Sequence, residues 1–422
     1  MMQFKRLALL AWLGLAGCDA DPDGAAQSAR TRSGNATNVT VSVPNPVAEK
    51  PLPDGVVPSP ATVVPNDDAA TSRELDDERL RKILHIKASL AAGDDASNGK
   101  FDRQGSLRLI ELATQLIAET VHDDHQERLC EAAVVELLEA RRNLALNGDA
   151  SDIHQLYRDV ESLNSADPSS ASAAEGLHCL AVFAHAMARQ SSESNERWLL
   201  EAGRWSREFA QRFPQDQERA VTLLYVAGRS NELRSISATA TSSGQSMRAE
   251  AKRCYEMLVQ RFPHSEAARD AATSLRRFAL PGQQLNQFAG PTLDGGFVSA
   301  ESFIGTATVL YFWNSTSPDF QSDFLPALKE LEAAAGDDIQ FVGISLDQER
   351  AAVRKSCAQY ALPGRQIFFP SADQRGWDNP LVRFWGISHS ETAWFLDADG
   401  IAVDVDLTGP ELALMAKRWR TR

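Results

Sequence analysis

The sequence predicts a multidomain chain in which an all-α helical-hairpin domain is followed by an α/β domain. Three observations predict it. From about residue 72 to 280, apolar residues recur at three- and four-residue spacing, the period of one helix face. From about 281 the pattern changes to near-continuous apolar runs such as ATVLYFW (Ala307 to Trp313), expected of strands covered on both faces. The 422 residues also exceed the length of a single typical domain. A composition of 43% hydrophobic and 24% charged residues suits packed cores under a soluble surface. The net charge of −14, without a basic cluster, excludes a nucleic-acid partner as an expectation.

The N-terminus reads as a targeting segment, 1–18. Lys5 and Arg6 precede the apolar run Leu7 to Gly17, which is too short to span a bilayer and has the length of a signal-peptide core. It ends in Leu15-Ala16-Gly17-Cys18, which resembles a bacterial lipobox, with Cys18 as the lipid attachment site. The resemblance implies a membrane-anchored lipoprotein on the extracytoplasmic, periplasmic face, since multiple acyl chains anchor stably. Asp19 resembles the inner-membrane retention signal of enteric lipoproteins. Residues 19–71 are rich in Pro, Ala and Asp and lack helical periodicity, so they are expected to form a disordered tether.

The helical domain, 72–280, carries an internal similarity. FAQRFPQDQERAVTLL, from Phe209, and LVQRFPHSEAARDAATSL, from Leu258, each end a helix in Arg-Phe-Pro and restart on an Ala-rich face. The pair resembles tetratricopeptide-like repeats, although Phe213 and Phe262 lie further apart than the usual repeat of about 34 residues. Such arrays commonly act as scaffolds with a concave binding face.

Within 281–422 the expected order is β-α-β-α-β-β-α. Its elements are ATVLYFW, DFLPALKELEAAAG, IQFVGISLD, ERAAVRKSCAQYAL, a strand pair turning at Asp399-Gly400, and PELALMAKRWR. With the turn at Asp294-Gly295-Gly296, the pair Phe312-Trp313 and the strand VGISLD, this region resembles the TlpA/ResA-like branch of the thioredoxin superfamily. The resemblance implies a thioredoxin-like fold and an ancestry among membrane-tethered thiol–disulfide oxidoreductases. Their two active-site cysteines sit at a helix N-terminus, where free N–H groups stabilise a thiolate.

Both thiols are replaced here. Ser317 stands at the attacking position and Phe320 at the resolving one, and neither forms a disulfide. Glu391 stands where the family has a cis-proline; a non-proline cis bond costs about 2.5–4 kcal/mol, so a trans loop is expected. The peroxiredoxin motif, which superposes on the same turn, likewise lacks its cysteine at Phe320. Dithiol exchange at this pair is excluded.

The same loops carry residues suited to other chemistry. Ser317, His389 and Glu391 invite a Ser-His-Glu hydrolase reading, against a reading as solvent-facing or helix-capping residues. Cys357, the one thiol of this domain, is either a packed cysteine or the basis of an alternative thiol–disulfide or peroxiredoxin-like activity, with Arg354 and Lys355 beside it. Cys130, Cys179 and Cys254 are scattered, without zinc-type spacing, and no metal or cofactor is expected. The resulting expectation is a redox-degenerate domain that binds an envelope protein or peptide. Its binding edge would be Trp313, Ser317, Pro318, an exposed Phe320, Trp385 and Glu391, though Trp313 reads equally well as core.

Overall fold

A computed structural model describes residues 77–96, 101–190, 195–237 and 242–420. Cys18 and the tether 19–71 lie outside the described residues. The chain divides into two compact units at Glu136/Leu137.

In the first unit, α1 (Glu78–Ala96) packs on α2 (Arg103–Thr120), followed by the first part of α3 (Glu127–Asn147). Asp102 caps α2 by accepting from the Gly105 amide at 2.9 Å. No described helix is long and apolar enough to cross a membrane.

The second unit continues with α4 (Ala150–Ala166), α5 (Ala171–Gln190), α6 (Asn195–Arg212), α7 (Gln217–Ser237), α8 (Ser242–Arg261) and α9 (Glu266–Phe278). From α4 to α9 each helix packs on the next, α8 also reaching α6. Both Arg-Phe-Pro segments make the same turn. Phe213 N–H donates to Phe209 O at 2.8 Å and Phe262 N–H to Leu258 O at 2.9 Å, each closing its helix. Pro214 and Pro263 then follow, with no N–H to continue it. The chain folds back through Asp216 N–H to Phe213 O in one copy and Ser265 N–H to Phe262 O in the other. Both phenylalanines are buried in one core with Phe209, Leu224, Ala251 and Leu258.

After α9 the chain forms a hairpin, β1 (Ala289–Pro291) and β2 (Phe297–Ser299), and then the α/β domain. Its elements are β3 (Ala307–Trp313), α10 (Leu325–Ala335), β4 (Ile339–Ser345), α11 (Arg350–Tyr360), β5 (Arg365–Ile367), α12 (Pro380–Trp385), β6 (Thr392–Leu396), β7 (Ala402–Leu407) and α13 (Gly409–Trp419). The sheet order is β5-β4-β3-β6-β7; β4 and β5 run parallel to β3, while β6 is antiparallel to β3 and to β7. This is a thioredoxin-like sheet, and the structure adds β5 and α12 to the elements expected from the sequence.

Alternation along β3 explains the continuous apolar run. Leu310 and Phe312 enter one core with Trp385 and Trp394, and Val309, Tyr311 and Trp313 enter the other with α10, α11 and α13. Gly282–Leu285 lies along β7 through Gly282 N–H to Ala402 O and Ala402 N–H to Gln283 O.

Candidate functional site

The site grows from the carboxyl end of β3. The turn after Trp313 is held by the Asn314 side chain, whose Oδ1 accepts from the Thr316 amide at 2.8 Å and its hydroxyl at 2.7 Å. Ser317 Oγ accepts from the Phe320 amide at 3.4 Å, and Pro318 opens the helical turn. A serine before a proline at the first helical position is the arrangement expected of a helix cap. The helix then widens into a π turn over Phe320–Phe324 before α10. Pro326, near the start of α10, has no N–H for the carbonyl four residues back, and the widened turn sits immediately before it.

Phe320 points inward with 0% exposure. Its ring stacks on Trp313 at 5.2 Å between centroids and meets Tyr360 edge-on at 6.4 Å. Trp313 is buried as well and donates its Nε1 proton to Gln366 Oε1 at 3.0 Å. Trp385 is buried against Trp394 and donates to Gln287 O at 3.2 Å. These three aromatic members of the expected binding edge are therefore core residues, and the expectation of an exposed Phe320 is corrected. Phe320, Phe324, Leu328 and Leu331 share one helix face, which turns the ring toward the sheet. Of the six edge residues Pro318 is exposed, and Ser317 and Glu391 are half-buried.

Glu391 reaches the same turn from the loop before β6. No cis peptide bond occurs among the described residues; Glu391 instead has φ 57°, a left-handed conformation that strains a side chain of this kind. Its amide donates to Phe312 O at 3.0 Å, extending the β3–β6 pairing by one residue. Ser390 Oγ donates to its carboxylate. Burial pushes the carboxyl above its ordinary range; the nearby Ser390 and Ser317 hydroxyls oppose the shift, and Asp319 adds to it. Its second oxygen, Oε1, is buried without a hydrogen-bond partner.

His389 does not join this pair. Its Nδ1 lies 3.3 Å from Ser388 Oγ, and its Nε2 is buried without a partner. Burial holds the imidazole down at about 4, with Asp406 and Glu232 favouring its charged form and Arg277 and Arg229 disfavouring it. The charged groups that face it thus belong to β7 and to the helices α7 and α9. No hydrogen bond joins His389 to Ser317, so the Ser-His-Glu triad is not assembled.

Cys357 is half-buried on α11, and burial, with Asp347 nearby, pushes its thiol up to about 11. Arg354 and Lys355 do not offset this, and the thiolate is scarce at neutral pH. Cys179 and Cys254 are buried, burial being the main cause of their raised thiol pKa values, and Cys130 is half-buried.

Sequence reasoning missed Asp347 and Gln366. Asp347, just beyond β4, accepts from the Ser315 amide at 3.1 Å, the Ser315 hydroxyl at 2.8 Å and the Ser345 hydroxyl at 3.0 Å, fixing the start of the turn. Its place at the end of VGISLD was the available signal. Gln366 on β5 accepts from Trp313 and donates to Tyr311 Oη at 2.6 Å; a polar residue in a three-residue strand gave none.

The C-terminal third is similar to several solved structures. A thiol–disulfide oxidoreductase from Bacteroides fragilis is 24% identical, with a TM-score of 0.28, over 32% of this chain and 98% of that one. The thioredoxin domain of a Bacteroides vulgatus thiol–disulfide oxidoreductase is 19% identical, with a TM-score of 0.29, over 33% and 96%. A secreted Mycobacterium tuberculosis disulfide oxidoreductase homologous to E. coli DsbE is 23% identical, with a TM-score of 0.27, over 31% and 96%. No family model and no curated protein matches the chain. Among the described residues there is no Cys-x-x-Cys pair.

Proposed function

We propose that this chain is a lipoprotein, acylated at Cys18 and anchored on the extracytoplasmic side of a membrane, whose thioredoxin-like domain binds an envelope protein or peptide without redox chemistry. One observation carries the non-redox reading: both former thiol positions have structural work, Ser317 as a helix cap and Phe320 as a core ring on Trp313. Neither position exchanges disulfides, and Cys357, pushed up to about 11, is a poor nucleophile at neutral pH. The helical hairpins, read as tetratricopeptide-like, would serve as the scaffold.

With the aromatic residues buried, the contact surface at this end of the sheet reduces to Thr316, Pro318 and Asp319, with the half-buried Ser317 and Glu391 beside them. A photo-crosslinking residue at Asp319 in the full chain, expressed in its own membrane, tests the binding edge. Asp337, exposed at the opposite end of β4, serves as the control position. A discrete adduct from 319 and none from 337 supports the reading. Equal labelling from both, or none from 319, removes the edge as a contact surface. Release of a Cys18→Ser variant from the membrane tests the anchor; a variant that stays bound would sink it. Insulin reduction by the same protein would reinstate a thiol enzyme.

A further inference from the structure

A second constellation lies between α7–α9 and the α/β domain, all within the second unit. The Arg277 side chain on α9 has 0% exposure. It pairs with Glu232 of α7, also fully buried, and its Nε lies 3.0 Å from Asp406 Oδ1 of β7. Glu232 is further bound by the Tyr255 hydroxyl at 2.5 Å and the Ser274 hydroxyl at 3.2 Å, with Arg229 3.6 Å away. Arg248 of α8 reaches Asp406 at 3.4 Å. Asp406 itself has φ 62°. Charges withdrawn from water this completely are tolerated only when paired.

The same elements grip the loop that leads to Glu391. Gly386, at φ 60°, lies so close to α9 that an added Cβ would come within 2.8 Å of the Ser274 amide nitrogen, which only glycine accommodates. Arg229 donates to Ser388 O at 3.1 Å, and Arg276 donates to Phe384 O. His389 follows, buried within the electrostatic reach of Asp406, Arg277, Glu232 and Arg229. Two residues later the Glu391 amide donates to Phe312 O, and its carboxyl sits beside Ser317.

The geometry points to a conformational latch: through Arg277 between Glu232 and Asp406, and Arg229 on Ser388, the helices set the position of the 386–391 loop and hence of Glu391 beside Ser317. The latch stands independently of the partner-binding reading. A change in how α7 and α9 pack is transmitted along the six residues of this loop to the emptied redox turn. A change at that turn acts back on the helices, because coupling between two sites is reciprocal.

Amide hydrogen exchange on the full chain, resolved to the Glu391 amide, tests this. Arg277→Met is the strong variant, and Arg229→Ala is a mild one that removes the Ser388 contact while leaving Arg277 in place. Arg141→Ala is the control, since it breaks a largely buried pair with Asp159 far along the chain. Both latch variants are expected to speed Glu391 exchange at least about tenfold, with amides of α4 and α5 unchanged by Arg229→Ala. The control should leave Glu391 protected. If Arg277→Met unfolds the unit, Arg229→Ala decides. Unchanged Glu391 protection in Arg229→Ala, or equal loss in Arg141→Ala, overturns the latch.

Discussion

Phe320 lies flat against Trp313, with ring planes 24° apart and neither ring exposing surface. Phe320 is thus a packing residue of the core rather than a surface contact. Its removal opens a cavity beneath the helix and strips one face of Trp313. Phe320→Ala is therefore expected to destabilise the second unit by about 3–5 kcal/mol. Ser317→Ala loses one long capping bond, at the low end of the roughly 0.5–2 kcal/mol seen for caps. Urea unfolding followed by tryptophan fluorescence measures both. A Phe320→Ala loss no greater than that of Ser317→Ala would contradict the packing role.

Cys357 tests the chemistry left to the domain. With its thiol raised from 9.0 to about 11, the thiolate fraction at neutral pH falls about a hundredfold relative to an unperturbed cysteine. Iodoacetamide should label it slowly, with a rate still climbing above pH 10. Rapid labelling at pH 7 would mean that α11 opens, and would revive the alternative thiol activity.

His389 gives the fold a pH dependence of definite sign. Its imidazole titrates at 6.5 when free and at about 4 when folded, because burial disfavours the charged form. The unfolded chain therefore binds the proton first, and stability is lost as pH falls from about 6.5 through about 4. The slope reaches at most about 1.4 kcal/mol per pH unit for one proton. Thermal melts between pH 7 and pH 4.5 should show a flatter decline for His389→Asn than for the native chain. Parallel declines would mean that His389 is solvated.

Much of this was legible in the sequence. The apolar run of β3 announced a strand covered on both faces, and the two Arg-Phe-Pro turns announced equivalent helix breaks. The inward turn of Phe320 was also readable, since Phe320, Phe324, Leu328 and Leu331 follow helical spacing. The resemblance to a redox turn suggested a surface residue and hid that signal. The latch was not legible, because Glu232, Arg277 and Asp406 are far apart in the chain and each reads alone as a surface charge. Only the packing of α7, α9 and β7 turns three ordinary ionic residues into one buried group.

Glu391 carries the opposite pH sign from His389. Its carboxyl is raised by burial, so the folded state holds the proton longer and stability falls as pH rises through its titration. Glu391→Gln keeps the shape and removes the ionisation. It should raise the melting temperature at pH 7 and leave it nearly unchanged at pH 4, where the native carboxyl is already neutral. A lower melting temperature at pH 7 would show that the charged form is wanted there, as the acceptor of the Ser390 hydroxyl.

The buried network makes a last demand on the C-terminal domain. Residues 282–422 alone would leave Asp406 without Arg277 and Arg248, and would uncover the face that Gly386 presses on α9. A lone carboxylate in that position must regain water or a proton, and the strand carrying it must loosen. The isolated fragment is expected to melt well below the full chain. Asp406→Asn should recover part of the loss in the fragment while destabilising the full chain, where it breaks the pair with Arg277. That opposite response, read by melting temperature, separates a missing ionic partner from general loss of contact area. If Asp406→Asn weakens both forms equally, Asp406 serves β7 alone and the helices contribute only apolar cover.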